Sequence, residues 1–408
     1  MTFIKNSLNQ DIIEKIKNKG VPIIIFGAAT VGEVLFKACL NLGIKIECFC
    51  DNNLNKTKKT LCDIKVVHTP ILKNHYKEAI FLISAADIKD VVNQLQSLGY
   101  STWYPCSTLL RDFDIYQYQF SVPIEFVEYV IATAILCQDN YLTPDKLFLR
   151  SVDIIITERC SLKCRDCSNL TQYYKKPVDC NIKELFRGID RFFDIVDEVN
   201  EFRILGGEPF MNKDAHLIIK KLIEKPKVKK IVIYTNGTIP LRNDQVESLK
   251  SKKVLFIITD YGKLSRNLNN LTQKLSANNI AFYVQKAGGW TDCSKIKKQS
   301  RSVKQQKEIF INCCAKNTIT LSDGNLFRCP FSANANRLQA VPDFKDDYVN
   351  IFDERTGINE MKIKIRAFLL DKKFLKTCDY CNGRSFGDPE ITPAVQIDKP
   401  LKYKQYRY

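Results

Sequence analysis

The stretch TERCSLKCRDCSN (157–169) sets Cys160, Cys164 and Cys167 four and then three residues apart. That run is too tight for a disulfide framework and does not match the paired C-x2-C units of a zinc site. It follows directly on RSVDIIIT (150–157), an apolar run that reads as a β-strand. Strand-like runs recur at 201–207, 229–237, 253–259 and 280–285, separated by helical stretches near 182–197, 214–224, 243–252 and 266–278. This alternation predicts an α/β fold, an incomplete (β/α) barrel whose chemistry faces the C-terminal strand ends. The cysteine loop sits at the first of those ends.

Three thiolates can hold three irons of a 4Fe–4S cube and leave the fourth iron open for a substrate or cofactor. The Cys160-x3-Cys164-x2-Cys167 spacing resembles the signature of the radical S-adenosylmethionine (SAM) superfamily. In that family SAM completes the cluster and is cleaved reductively to a 5′-deoxyadenosyl radical. GGEP (Gly206, Gly207, Glu208, Pro209) ends the second strand and matches the family element that cradles the SAM amino group. The glycines admit close backbone approach, and Glu208 or a nearby carbonyl accepts from the ammonium. YTNGT (234–238), with Thr235 and Asn236, ends the third strand, where the family contacts cofactor or substrate. The resemblance covers about residues 150–290 and implies a partial (β/α)6 barrel there. It departs at Asp166, where the family carries an aromatic residue near adenine. A zinc knuckle is the other reading of the three thiols.

Beyond residue 290, NTITLSDGNLFRC (317–329) reads as strand, Asp-Gly turn, strand, and Cys378-x2-Cys381 follows after 48 intervening residues. A hairpin cysteine pair with a later C-x2-C resembles the twitch type of auxiliary-cluster domain, a shortened SPASM relative. The resemblance implies a second 4Fe–4S cluster on Cys314, Cys329, Cys378 and Cys381, with Cys313 an alternative to Cys314 and Cys293 a further candidate. A zinc ribbon on the same thiols is the competing reading. The scattered Cys39, Cys48, Cys50, Cys62, Cys106, Cys137 and Cys180 read as buried small hydrophobes.

The first 110 residues form a separate alternating series, with strands at 21–27, 44–53 and 78–85 and helices at 30–43 and 87–99. They predict a Rossmann-like parallel sheet. Gly27, Ala29 and Gly32 follow its first strand, and Asp51 ends the second. The pattern is similar to a dinucleotide fingerprint with alanine at the middle glycine, and to the small Rossmann-like domains of nucleotide-sugar and surface-polysaccharide enzymes. Two roles stay open, a nucleotide site on Gly27, Gly32 and Asp51, or a scaffold. The full division expected is 1–110 Rossmann-like, 111–149 connector with a helix near 122–136, 150–290 barrel, 291–390 auxiliary-cluster domain, and 391–408 a basic, mobile tail.

The chain has 408 residues, 16 cysteines and a formal net charge of +17. The start MTFIKNSLNQDIIEKIKNKG has no apolar run of the secretory kind. With so many cysteines this points to the reducing cytoplasm. VPIEFVEYVIATAILC (122–137) is too short and too acidic to span a membrane. The lysines are scattered and no nucleic-acid module is present, so no nucleic-acid partner is expected. A basic surface suits an anionic substrate, an acidic electron donor of the flavodoxin or ferredoxin type, or a membrane surface. The three histidines, His68, His75 and His216, leave acids and phenols as proton-transfer candidates at the barrel mouth: Asp260, Tyr261 and Asp292.

The resemblance implies a radical SAM enzyme that oxidises or rearranges a carbohydrate-type or nucleotide-linked sugar substrate. In that reading the auxiliary cluster takes an electron. The alternatives are a peptide or protein maturase and a non-catalytic iron–sulfur carrier.

Overall fold

The run Ile23–Phe26 is buried at all four positions, which demands cover on both faces of its sheet. The computed structural model describes residues 11–385 and 387–407 and divides the chain into two compact units, 1–145 and 146–408. Residues 1–10, half of the N-terminal stretch read for a signal, lie outside the described residues, as does Tyr408 of the tail.

In the first unit, β1 (Ile23–Phe26) pairs in parallel with β2 (Cys48–Asp51) and β5 (Ile80–Ile83). β4 (Ile64–His68) extends the sheet beyond β2 in parallel, and β6 (Trp103–Pro105) extends it beyond β5. A short β3 (Thr60–Leu61) adds an antiparallel edge. The order β3-β4-β2-β1-β5-β6 is the expected Rossmann-like parallel sheet. Helix α1 (Thr30–Asn41) and helix α2 (Ile88–Ser97) are the two anticipated helices.

Helix α3 (Ile124–Leu142), expected in a connector, is part of this unit. Val127, Ile131 and Ala134 join the core built by Val34, Leu35 and Phe49. Gln138 donates to the carbonyls of Ile83 and Ala85 and accepts from Ser107 N. Although α3 is the most apolar helix, no helix of the described residues is long and apolar enough to cross a membrane.

The second unit begins with five consecutive parallel strands: β7 (Phe148–Ile155), β8 (Glu198–Leu205), β9 (Val228–Thr235), β10 (Val254–Asp260) and β11 (Ala281–Lys286). They are separated by α4 (Ile182–Ile195), α5 (Ala215–Ile223), α6 (Asn243–Leu249) and α7 (Leu268–Ala277). Asn181 caps α4 by accepting from the amides of Lys183 and Glu184. Strand periodicity sends Val152, Ile154, Phe202, Ile204, Ile231, Ile233 and Phe256 into one core with the helices. Truncating a ring such as Phe192 or Phe202 there would cost about 3–5 kcal/mol.

The sixth parallel strand does not follow β11. It is β13 (Ile319–Ser322), which joins the other edge, beside β7. β14 (Asn325–Phe327) and β15 (Tyr348–Asn350) continue antiparallel, so the sheet is an open partial barrel of order β11-β10-β9-β8-β7-β13-β14-β15. Asp323 and Gly324 both take positive φ, 50° and 74°, as a two-residue hairpin turn requires. Helix α8 (Val303–Asn312), α9 (Pro330–Arg337) and α10 (Ile358–Asp371) complete this part. A separate ribbon pairs β12 (Trp290–Thr291) with β16 (Glu390–Ile391).

The tail after β16 is packed, contrary to the expectation of mobility. Leu401, Tyr403 and Tyr406 sit against a cluster containing Leu170, Tyr173, Leu338 and Tyr380. The amides of Leu401 and Tyr406 donate to Gln172 O and Gln339 O. Its aromatic residues bury against the cysteine-loop segment while its lysines face outward.

Candidate functional site

The cysteine loop is closed at its base where the chain leaves β7. Glu158 N donates to Val178 O, Cys180 N to Ile156 O, and Thr157 Oγ1 to Asp179 Oδ1 at 2.6 Å. Inside that closure Cys164 and Leu162 are buried with Ala394, and Cys160, Cys167, Tyr261, Leu264 and Trp290 pack around them. The three thiols thus share one apolar recess. Burial pushes Cys164 up to about 11 and Cys160 higher still, and the charge of Cys167 adds to both. Soft ligands of this kind must lose their protons to a metal, which these neighbours do not favour until one binds. Among the described residues no three Cys, His, Asp or Glu side chains gather tightly enough for a single metal ion. Three soft thiols in one apolar recess are a donor set that fits an iron–sulfur cube.

The diglycine loop is bolted to this one. Gly207 N donates to Thr157 O at 3.0 Å and Glu208 N to Arg159 O at 2.9 Å. A Cβ on Gly206 would stand 2.5 Å from Thr157 O, and one on Gly207 2.7 Å from the Cβ of Cys160. The glycines are therefore demanded first by the backbone of the cysteine loop.

Glu208 differs from its expected role. Its side chain is fully buried, and its carboxylate accepts from Thr235 Oγ1 (2.8 Å), Asn236 N (2.8 Å) and Phe210 N (3.4 Å). It ties the second strand end to the third and has no face left for an ammonium. Burial raises it to about 7, against the lowering effect of those three donors. Pro209 opens the short turn 209–211, whose Phe210 ring stacks on Phe256. Asn236 returns to the cysteine loop, with Nδ2 at 3.7 Å from Cys160 Sγ and 3.3 Å from Ser161 Oγ.

Of the three mouth residues, Tyr261 reaches the recess, edge-on to Trp290. Burial and the neighbouring thiols raise its phenol well above the ordinary value. Asp260 accepts from Gly262 N at 2.8 Å and holds its own turn. Asp292 Oδ2 pairs with Lys295 at 2.5 Å, while Oδ1 has no partner. Asp166, at the adenine-side position, pairs with Arg165 at 2.8 Å.

Two features were not read from the sequence. One is a polar group on the strand face opposite the helices: Asp153 bonds Arg203 at 2.5 Å across paired strands, and Arg203 lies over Tyr234. Its signal was a charged residue inside each of two apolar strands. The other is the segment 394–397, which pairs with the cysteine loop; its signal was the strand-like run AVQI.

The second set of thiols lies around Cys329, Cys378 and Cys381, with Cys313 and Cys314 beside one another at the end of α8. Cys329 is raised first by burial and then by the charges of Cys378, Cys313 and Cys381. Cys378 and Cys381 also feel Cys313. Cys313, partly buried, acts on all three of those thiols, and Cys314 is exposed. Helix α8 ends at Asn312 and Cys313 is its extended C-cap, so the two neighbouring side chains diverge. Asp347, buried, accepts from Thr377 N, Thr377 Oγ1 and Lys376 N and fixes the turn bearing Cys378. Arg301 Nη1 donates to the carbonyls of Cys378 and Cys381. Cys39, Cys48, Cys50, Cys106 and Cys137 are buried, as expected, and Cys62 and Cys180 partly so.

In the first unit Gly27 has φ 106°, and a Cβ on Gly32 would overlap Gly27 O. Asp51, expected to hold ribose hydroxyls, is engaged by its own turn and by the glycine turn. Oδ2 accepts from Ala28 N (3.0 Å) and Lys56 (2.8 Å), and Oδ1 from Asn53 N (2.9 Å). The carboxylate stitches the glycine turn to the second strand.

A mixed α/β unit with an open parallel barrel and three thiols on its first strand-end loop has the form of an iron–sulfur catalytic domain. Residues 154–259 match the Radical SAM superfamily, so the chain carries a radical SAM domain, of the enzyme class that uses a 4Fe–4S cluster and SAM. The chain is 30% identical over 84 residues to GTP 3′,8-cyclase of Ectopseudomonas mendocina, covering 20% of this chain and 25% of that protein. It is 35% identical over 86 residues to the mitochondrial GTP 3′,8-cyclase of Arabidopsis thaliana, covering 21% and 22%. It therefore spans about a quarter of the length of these curated relatives. Among solved structures, BtrN in complex with AdoMet and 2-DOIA matches with TM-score 0.39 and 18% identity, over 59% of this chain and 94% of that one. Streptococcus suis SuiB bound to S-adenosylmethionine matches with TM-score 0.30 and 14% identity, over 69% and 78%.

Proposed function

We propose that this chain is a radical SAM oxidoreductase acting on a hydroxylated, carbohydrate-type or nucleotide-linked substrate. The observation that carries the reading is the three-thiol recess bolted to a diglycine loop at adjoining strand ends. Cys160, Cys164 and Cys167 would hold the first cluster, and Cys313, Cys329, Cys378 and Cys381 an auxiliary one. When bound, the first cluster and SAM supply a 5′-deoxyadenosyl radical able to take hydrogen from an unactivated carbon. The loop carbonyls of Gly206–Pro209, not the Glu208 carboxylate, receive the SAM ammonium in this reading. The hydrophobic wall of Tyr261, Leu264 and Trp290 keeps water from the recess.

Tyr261, with its proton held tightly, serves as a hydrogen-bond donor. Asp292 Oδ1, lacking a partner, is the acceptor for a substrate hydroxyl proton. Asp260 shapes the turn. The polar Asp153–Arg203–Tyr234 group supports a substrate rich in hydroxyls over an apolar one. The first unit, with Asp51 occupied, serves as a docking scaffold. A flavodoxin- or ferredoxin-type protein would deliver electrons to this basic chain.

The test is anaerobic reconstitution of the full chain with iron and sulfide, then incubation with SAM, a low-potential reductant and a panel of deuterated aminocyclitols, nucleotide-sugars and peptides. Methionine, 5′-deoxyadenosine and deuterium transferred into it from one sugar are expected. Absence of SAM cleavage by a chain carrying its full iron would sink the proposal, and transfer only from a peptide would replace the substrate class.

A further inference from the structure

After β16 the chain turns back over the cysteine loop. Arg165 N donates to Val395 O at 2.7 Å and Ile397 N to Lys163 O at 2.9 Å, an antiparallel bridge between Cys164 and Gln396. Gln396 lies on the surface, yet every polar atom of its amide is engaged. Oε1 accepts from Lys163 N at 2.8 Å; Nε2 donates to Ala394 O at 2.7 Å and to Cys164 Sγ at 3.3 Å. The orientation is dictated by chemistry. Lys163 N–H can only donate, so the oxygen must face it, and the NH2 is left facing the sulfur and a carbonyl, both acceptors.

We infer that Gln396 is a positioning residue for Cys164, locking the cysteine loop through Lys163 and donating an N–H bond to the ligand sulfur that raises the reduction potential of the cluster held there. An N–H donor to a thiolate stabilises the more negatively charged, reduced state, and outer-shell donors of this kind set both ligand orientation and potential. The inference rests on the reading of Cys160, Cys164 and Cys167 as cluster ligands. The contact joins residues 232 apart in sequence.

The experiment compares the full reconstituted chain with Gln396→Glu and Gln396→Leu. Glutamate keeps the acceptor for Lys163 N but replaces the donor to sulfur with a negative charge; leucine removes both. Potentials are read by redox titration of the electron paramagnetic resonance signal that shifts on adding SAM, beside iron content and amide exchange at Lys163 and Arg165. The expected result is a more negative midpoint in Gln396→Leu and a larger negative shift in Gln396→Glu. Iron content should hold, with faster amide exchange only in the leucine variant. Should leucine lose the cluster, the glutamate variant alone decides. Unchanged potentials in variants that hold the cluster would overturn the inference, as would loss of the cluster in both, which would make the contact purely architectural. A wild-type chain without any SAM-responsive signal would refute the parent reading, and this one with it.

Discussion

Replacing Glu208 by glutamine tests whether this carboxylate is an internal tie or a cofactor ligand. Burial moves it from the ordinary 4.5 to about 7. At 1.36 kcal/mol per pH unit that corresponds to roughly 3 kcal/mol. The sign follows from proton counting: between those two values the folded chain holds a proton that the unfolded chain has released. Its contribution to stability is therefore full below about 4.5 and is lost as pH rises towards about 7. Glutamine carries no such dependence. It can present its oxygen to Asn236 N and its NH2 to Thr235 Oγ1, losing only the 3.4 Å contact from Phe210 N.

The stability difference between the Glu208→Gln variant and the wild-type chain should then swing in favour of the variant by about 3 kcal/mol between about pH 4.5 and 8. All other carboxylates cancel in that difference. The assay is urea unfolding of the reduced, metal-free chain, with Trp103 replaced by phenylalanine so that Trp290 reports the second unit alone. The variant should also keep SAM cleavage, because the carboxylate faces Thr235 and Asn236. A pH-independent difference, or abolished SAM binding with intact iron, would refute the reasoning.

Cys313→Ser should halve the iron of a chain expected to hold about eight, while Cys314→Ser should leave it unchanged; iron and sulfide assays after reconstitution decide between the two thiols. Gly207→Val, whose side chain would overlap Arg159 O and the Cβ of Cys160, should open the cysteine loop and remove the first cluster, leaving about half the iron and no 5′-deoxyadenosine. Asp347→Ala strands the amides of Lys376 and Thr377 and should cost about 2–4 kcal/mol, read as a lowered unfolding midpoint and a labile auxiliary cluster. Asp292→Asn should preserve SAM cleavage without substrate and reduce substrate turnover at least tenfold, measured by coupled product analysis.

Strand and helix positions were legible because each apolar run and helical period is a local property of a few neighbouring residues. The runs at 150–157 and 201–207 correspond to β7 and β8, and Asp323-Gly324 to the hairpin turn, because only φ-permissive residues suit it. The three-thiol loop was legible for the same reason, its spacing lying within eight positions. What required tertiary structure was every relation between distant segments. Cys313 and Cys314 are equivalent in a spacing pattern, and their different burial follows only from where α8 ends. Glu208 and Asp51 look like free carboxylates until the folded chain brings donors from Asn236, Thr235 and Ala28 onto them. The sixth parallel strand changes edges, and the tail returns to Cys164, because edge pairing and aromatic burial act across more than a hundred residues. Local propensity carries no record of such contacts.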